Sequence, residues 1–114
     1  MPSKAAKAAL HDIQHHIVLA TTFVSDIDFD HFRGDLRTVY AVIRCLEIIS
    51  EACRRLPDDL KARHADIPWR QIAGAGNIYR HDCEDIAAQI IWDTVKLALP
   101  VLQIAIDKEV AGLP

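Results

Sequence analysis

Leu10, Ile13, Ile17, Ala20 and Val24 recur at steps of three and four residues, which predicts an amphipathic helix over about residues 3–24. The pattern breaks between Ser25 and Asp35. There Asp28 and Asp35 have the short acceptor side chains of helix N-caps, with room for one helical turn around Phe29 to Phe32. It resumes as Leu36, Val39, Ile43, Leu46, Ser50 and Cys53, with Val42, Cys45, Ile48, Ile49 and Ala52 as a second apolar strip on the same helix. A helix apolar over so wide an arc has two neighbours to pack against, inside a bundle or across a subunit interface.

Pro57 closes that helix or opens the next, and residues 58–64 read as a short polar helix. Asp66-Ile67-Pro68-Trp69 predicts another start, with Pro68 in the first turn, where its missing N–H does no harm. This helix runs through Gly74 and Gly76, each about 1 kcal/mol less favourable than alanine. That cost predicts a close backbone approach by a ligand or a helix. A last helix starts at Asp82 or Asp85, carries Ile86, Ile90, Ile91, Val95, Leu97, Val101, Leu102 and Ile104, and kinks at Pro100. The expected fold is all-α, an up-and-down bundle of four main helices plus a short helix, with residues 1–114 as one domain.

A chain of 114 residues with 51% hydrophobic and 25% charged residues has enough apolar surface for a core and is too apolar to stay disordered. Three cysteines are too few, and odd in number, for a disulfide scaffold, so reduced thiols are expected. Polar residues from His11 to His16 interrupt any leader-like apolar run, and no uninterrupted stretch is long enough to span a bilayer. A cytoplasmic location is the expectation. The net charge of −3 argues against indiscriminate nucleic-acid coating. Locally, however, six Lys/Arg stand against three Asp between Arg54 and His81, which suits either a phosphate-facing site or a solvated surface.

Most candidate constellations fail. His11 and His15 are one turn apart but lack further ligands at metal spacing, so surface histidines are expected and no metal or cofactor. Asp26, Asp28 and Asp30 imitate a calcium loop, yet His31 takes its glycine position and Arg37 that of its bidentate Glu. Gly74-Ala75-Gly76 has no preceding strand to make it a dinucleotide fingerprint. The informative stretch is Asn77 to Asp82. Asn77 and His81 share a helix face, Tyr79 lies between them, and Arg80 adjoins His81. Histidine exchanges protons near neutrality, and arginine and amide groups grip phosphate oxygens. Together they suit metal-free cleavage of an RNA phosphodiester by its own 2′-hydroxyl, with His81 as acid or base. The plainer alternative is a favourable charge at a helix end. Arg44 and Glu47, three residues apart in the apolar helix, are candidate cleft-lining residues or an exposed ion pair.

The run Ala41-Val-Ile-Arg44-Cys-Leu-Glu47-Ile-Ile-Ser-Glu51-Ala52, then Ile67-Pro-Trp-Arg70-Gln-Ile-Ala-Gly74, then Asn77 with His81, resembles the HepT-like branch of the HEPN superfamily. The resemblance implies a dimerising helical bundle and a homodimeric, metal-independent endoribonuclease toxin whose cleft forms between subunits. It also implies a MntA-like nucleotidyltransferase antitoxin as partner and RNA as substrate. By the same resemblance His81 is the motif histidine, Arg80 supplies the charge beside it, and Asn77 binds substrate, with Arg70 as a further substrate-binding candidate. Two departures stand out: Gly74, Ala75 and Gly76 occupy the places of the motif arginine, and Cys83 that of the tyrosine the partner modifies with AMP. A catalytically silent module that docks the nucleotidyltransferase is therefore the rival expectation. A structural helical dimer binding a nucleotide near Gly74 and Gly76 is the third.

Overall fold

A computed structural model describes the backbone of residues 3–78 and 84–114, and side chains for 3–74 and 87–114. Helix α1 spans Lys4–Phe23 and starts where Ser3 Oγ accepts a hydrogen bond from the Ala6 amide at 3.1 Å. Asp28 caps the short α2 (Phe29–Gly34) by accepting from the His31 amide at 2.8 Å. Asp35 caps α3 (Leu36–Arg54), accepting from both the amide and the hydroxyl of Thr38. Those two bonds hold the Asp35 carboxyl below its ordinary pKa. Both aspartates thus act as the sequence predicts. The chain continues as α4 (Asp58–Arg63), α5 (Trp69–Ile78), α6 (Glu84–Asp93), a π-helical turn at Thr94–Ala98, and α7 (Leu99–Ala111). No strand occurs among the described residues.

The bundle has the expected four long rods, counting α6, the π turn and α7 as one. It carries two short helices rather than one. Each survives because it buries an apolar anchor, Phe32 in α2 and Leu60 in α4. The kink expected at Pro100 takes the form of the π turn just before it. Pro100 has no N–H to donate, and its ring would press on the carbonyl four residues back. The wider turn, in which the Leu99 amide reaches the Thr94 carbonyl, accommodates both.

One hydrophobic cluster runs through the bundle from Ala9 to Ile106. Ile13 and Ile17 of α1, Val42 and Ile49 of α3, and Leu102 and Ile106 of α7 are all shut from solvent. The segment Ala87–Ala111 is long and apolar enough to cross a membrane by length and composition, contrary to the sequence expectation. Its Ile91, Val95, Leu99, Leu102 and Ile106 are buried in this cluster, while Leu97, Val101 and Ile104 are exposed.

Candidate active site

Helix α5 is placed by its two ends. The Trp69 indole N–H donates to the carbonyls of Lys61 and His64 at 3.2 and 3.0 Å. Lys61 in turn lies close enough to Cys53, near the end of α3, to act on its thiol electrostatically. Three residues into α5, the Ile72 carbonyl accepts from Ser50 Oγ at 2.6 Å. α5 therefore begins beside the C-terminal end of α3 and runs back along it. At a rise of 1.5 Å per residue, the backbone of Asn77 stands about 7 Å beyond Ile72, roughly level with Cys45 on α3. That is the level of Arg44 and Glu47.

This register separates the predicted site residues into two groups. Arg44 is exposed and Glu47 half-buried, both on α3 beside the far end of α5. Arg70 is exposed in the first turn of α5 and makes no ion pair among the described residues. Its backbone stands about 12 Å from that of Arg44 along the helix axes. Tyr79, Arg80, His81 and Cys83 lie outside the described residues, as does the side chain of Asn77.

The basic segment between Arg54 and His81 is less available than its charge suggests. Arg54 pairs with Glu51 at 3.4 Å, Arg55 with Asp12 at 3.2 Å, and Arg63 with Glu109 at 2.8 Å. The first pair lies within α3, while the other two tie separate elements together, so three of its cations are already engaged. Among the described residues no helix supplies the close approach expected at Gly74, since a Cβ there would meet nothing within 4 Å, and Gly76 lies outside the described side chains.

Among the described residues no three His, Cys, Asp or Glu side chains converge as a metal site. His16 is engaged with the Asp12 carbonyl at 2.7 Å, and His15 stacks edge-on against it. Cys45 and Cys53 are free and buried. Burial pushes the Cys53 thiol up to about 12, so it holds its proton and makes no nucleophile. Two features escaped the sequence reading. Tyr40, 62% exposed, stands one turn from Arg44. Ser50, read as part of an apolar stripe, is a buried donor to α5, and its hydroxyl within that stripe was the available signal.

These features describe an all-α bundle in which the polar end of α3's motif flanks the helix leading to an Arg-His pair. The chain belongs to the HepT-like ribonuclease family of the HEPN superfamily, whose family model, described as Ribonuclease HepT-like, matches residues 13–109. It is 37% identical to a Thermococcus cleftensis protein named as a probable ribonuclease HepT, over 92% of this chain and 96% of that one. Two Methanocaldococcus jannaschii proteins named as candidate RNases are 31% and 37% identical. The first alignment covers 99% of this chain and 97% of the relative, the second 88% and 83%. No solved structure matches the chain.

Proposed function

We propose that the chain is a HepT-like toxin, a metal-independent endoribonuclease that works as a homodimer with a composite cleft and is held in check by a MntA-like nucleotidyltransferase. The observation that carries the reading is the antiparallel α3–α5 register, which sets Arg44 and Glu47 level with the turn of α5 that holds Asn77 and leads to Arg80 and His81. Membership of a ribonuclease family supports RNA as the substrate.

In this reading His81 takes the proton of an RNA 2′-hydroxyl as its oxygen attacks the adjacent phosphorus. The P–O5′ bond breaks, and the 5′-oxygen leaves carrying the proton that His81 took up. The products are a 2′,3′-cyclic phosphate and a 5′-hydroxyl, so atoms and charge balance without a co-reactant. Arg80 and Asn77 bind the phosphate oxygens as negative charge builds up on them. Arg44 lines the cleft with Glu47 and Tyr79, and Arg70 meets the RNA further along its backbone.

Purified protein in EDTA is expected to cleave RNA and leave a cyclic phosphate, with His81→Ala slower by about 10²- to 10⁴-fold. Equal cleavage by His81→Ala would remove His81 from the chemistry. The second reading, a silent module that only docks its nucleotidyltransferase, is favoured by Gly74-Ala75-Gly76 standing where the motif arginine belongs. It predicts a tight complex with the nucleotidyltransferase and no RNA turnover.

A further inference from the structure

Helix α5 carries two glycines within its last five residues, and a glycine in a helix interior is a weak point because its backbone has the most freedom to lose. Among the described residues nothing packs against Gly74 to compensate. The turn is held another way. Ser50 of α3, only 2% exposed, donates to the Ile72 carbonyl, and one turn later Arg54 Nη2 donates to the Ala73 carbonyl. In an α-helix these two carbonyls also accept from the amides four residues on, those of Gly76 and Asn77. Both tertiary bonds therefore attach to the acceptors that close the glycine-bearing turn.

Arg54 is itself steadied by Glu51 at 3.4 Å. An apolar contact between α3 and α5 would let the helices slide by small steps at little cost, whereas a hydrogen bond at 2.6 Å from a buried hydroxyl has one acceptor and one register. The segment that follows is the one bearing Asn77, Arg80 and His81.

We propose that Ser50 and Arg54 are positioning residues: by pinning the Ile72 and Ala73 carbonyls they fix the axial position and helicity of the α5 turn that delivers Asn77, Arg80 and His81 to the RNA. The role in cleavage rests on the function proposed above, while the pinning itself does not. Neither residue touches substrate.

The test compares the full-length wild type with Ser50→Ala, Arg54→Ala and Arg54→Lys, using two readouts. The first is amide hydrogen exchange at Gly76 and Asn77, with amides of α1 as the internal reference. The second is kcat and KM for cleavage of a short RNA. Ser50→Ala and Arg54→Ala are expected to speed exchange at those two amides about five- to tenfold, with α1 unchanged. They should lower kcat by a similar factor at constant KM. Arg54→Lys, which keeps a donor within reach of the carbonyl, should recover most of both.

Exchange that rises equally in α1 and α5 would mean general destabilisation and would overturn the proposal. So would unchanged exchange at Gly76 and Asn77. If His81→Ala abolishes cleavage while Ser50→Ala and Arg54→Ala keep the wild-type kcat, the pinning has no catalytic role and the proposal falls, with the ribonuclease reading intact. If the wild type cleaves no RNA, that reading falls instead, and the exchange measurement still decides whether the two side chains hold the turn.

Discussion

The two flanks of α3 are built on different principles. Toward α1 the contact is mainly apolar: Ile13 and Ile17 meet the apolar face of α3, and a side-chain hydrogen bond on this flank, from Arg55 to Asp12 at 3.2 Å, comes from the residue just past the helix. Toward α5 the seam carries Ser50 and Arg54 as donors and a helix weakened by glycine. Burial of hydrocarbon stabilises in proportion to area and cares little about direction. Hydrogen bonds add less net stability but accept few geometries. The first flank keeps the bundle folded, and the second sets where a helix end lies. In an enzyme family those tasks fall naturally on different seams.

The strongest way to probe the apolar flank is Ile17→Ala. It should cost about 2–5 kcal/mol in denaturant unfolding, because it leaves a cavity among residues with no room to collapse. The folded fraction should still cleave RNA at the wild-type kcat. A fall in kcat per folded molecule would show that both seams position the site and would erase the distinction.

A second polar clasp, at the opposite end of α5, sharpens it. Glu109 of α7 accepts from Arg63 and bonds His64 Nε2, each at 2.8 Å, which joins the α4–α5 corner to the last helix. The hydrogen bond from Arg63 outweighs the upward push of burial and, joined by the weaker contribution of the bond with His64, holds the Glu109 carboxyl below its ordinary value of 4.5. The folded state thus binds this proton less readily than the unfolded chain does. Its stabilisation is complete above the ordinary value and is lost as pH falls through and below it. Glu109→Gln should cost about 1–2 kcal/mol at pH 7, and its deficit against wild type should shrink below about pH 4. A deficit that stays constant on acidification would show that the charge is irrelevant.

Gly74→Ala should have the smallest effect and the opposite sign. With open space at the new Cβ, it should stabilise by about 0.5–1 kcal/mol and raise the melting temperature by a few degrees. It should also relieve part of the dependence on Ser50 and Arg54, so Ser50→Ala in that background should speed exchange at Gly76 less. Destabilisation would reveal a neighbour for that glycine beyond the described residues, such as a second copy.

Periodicity revealed most of the fold because long amphipathic helices repeat their signal many times. Helices α1 and α3 begin within a residue or two of their expected positions, and Asp28 and Asp35 cap as their side-chain chemistry dictates. The π turn was not legible. A pattern of apolar spacings registers an extra residue only as a blur, although Pro100 marked the place. The site was legible as chemistry but not as geometry. Arg44 read as a cleft-lining candidate and Arg70 as a substrate-binding one, but their separation along the α3–α5 seam follows only from the antiparallel register. Ser50 was hidden because a lone hydroxyl among Leu46, Ile49 and Cys53 breaks no hydrophobic period. The pairings of Arg55 with Asp12 and of Arg63 with Glu109 were equally invisible, since those partners sit on other helices, whereas Glu51 and Asp59 lie at the three- and four-residue spacings that helix geometry joins.

The widened turn at Thr94–Ala98 gives the last rod two orientations in one. Inserting a residue without breaking the rod rotates everything after it by about a quarter turn or more relative to an unbroken α-helix. Ahead of the insertion Trp92 meets the rings of Phe29 and Phe32, and beyond it Leu102 and Ile106 bed down in the same core beside α1. The same twist leaves Leu97, Val101 and Ile104 aligned outward. A relative lacking that extra residue would have to re-aim one of its two halves, so a one-residue gap at this point of an alignment would mark a change in which neighbour the C-terminal helix embraces.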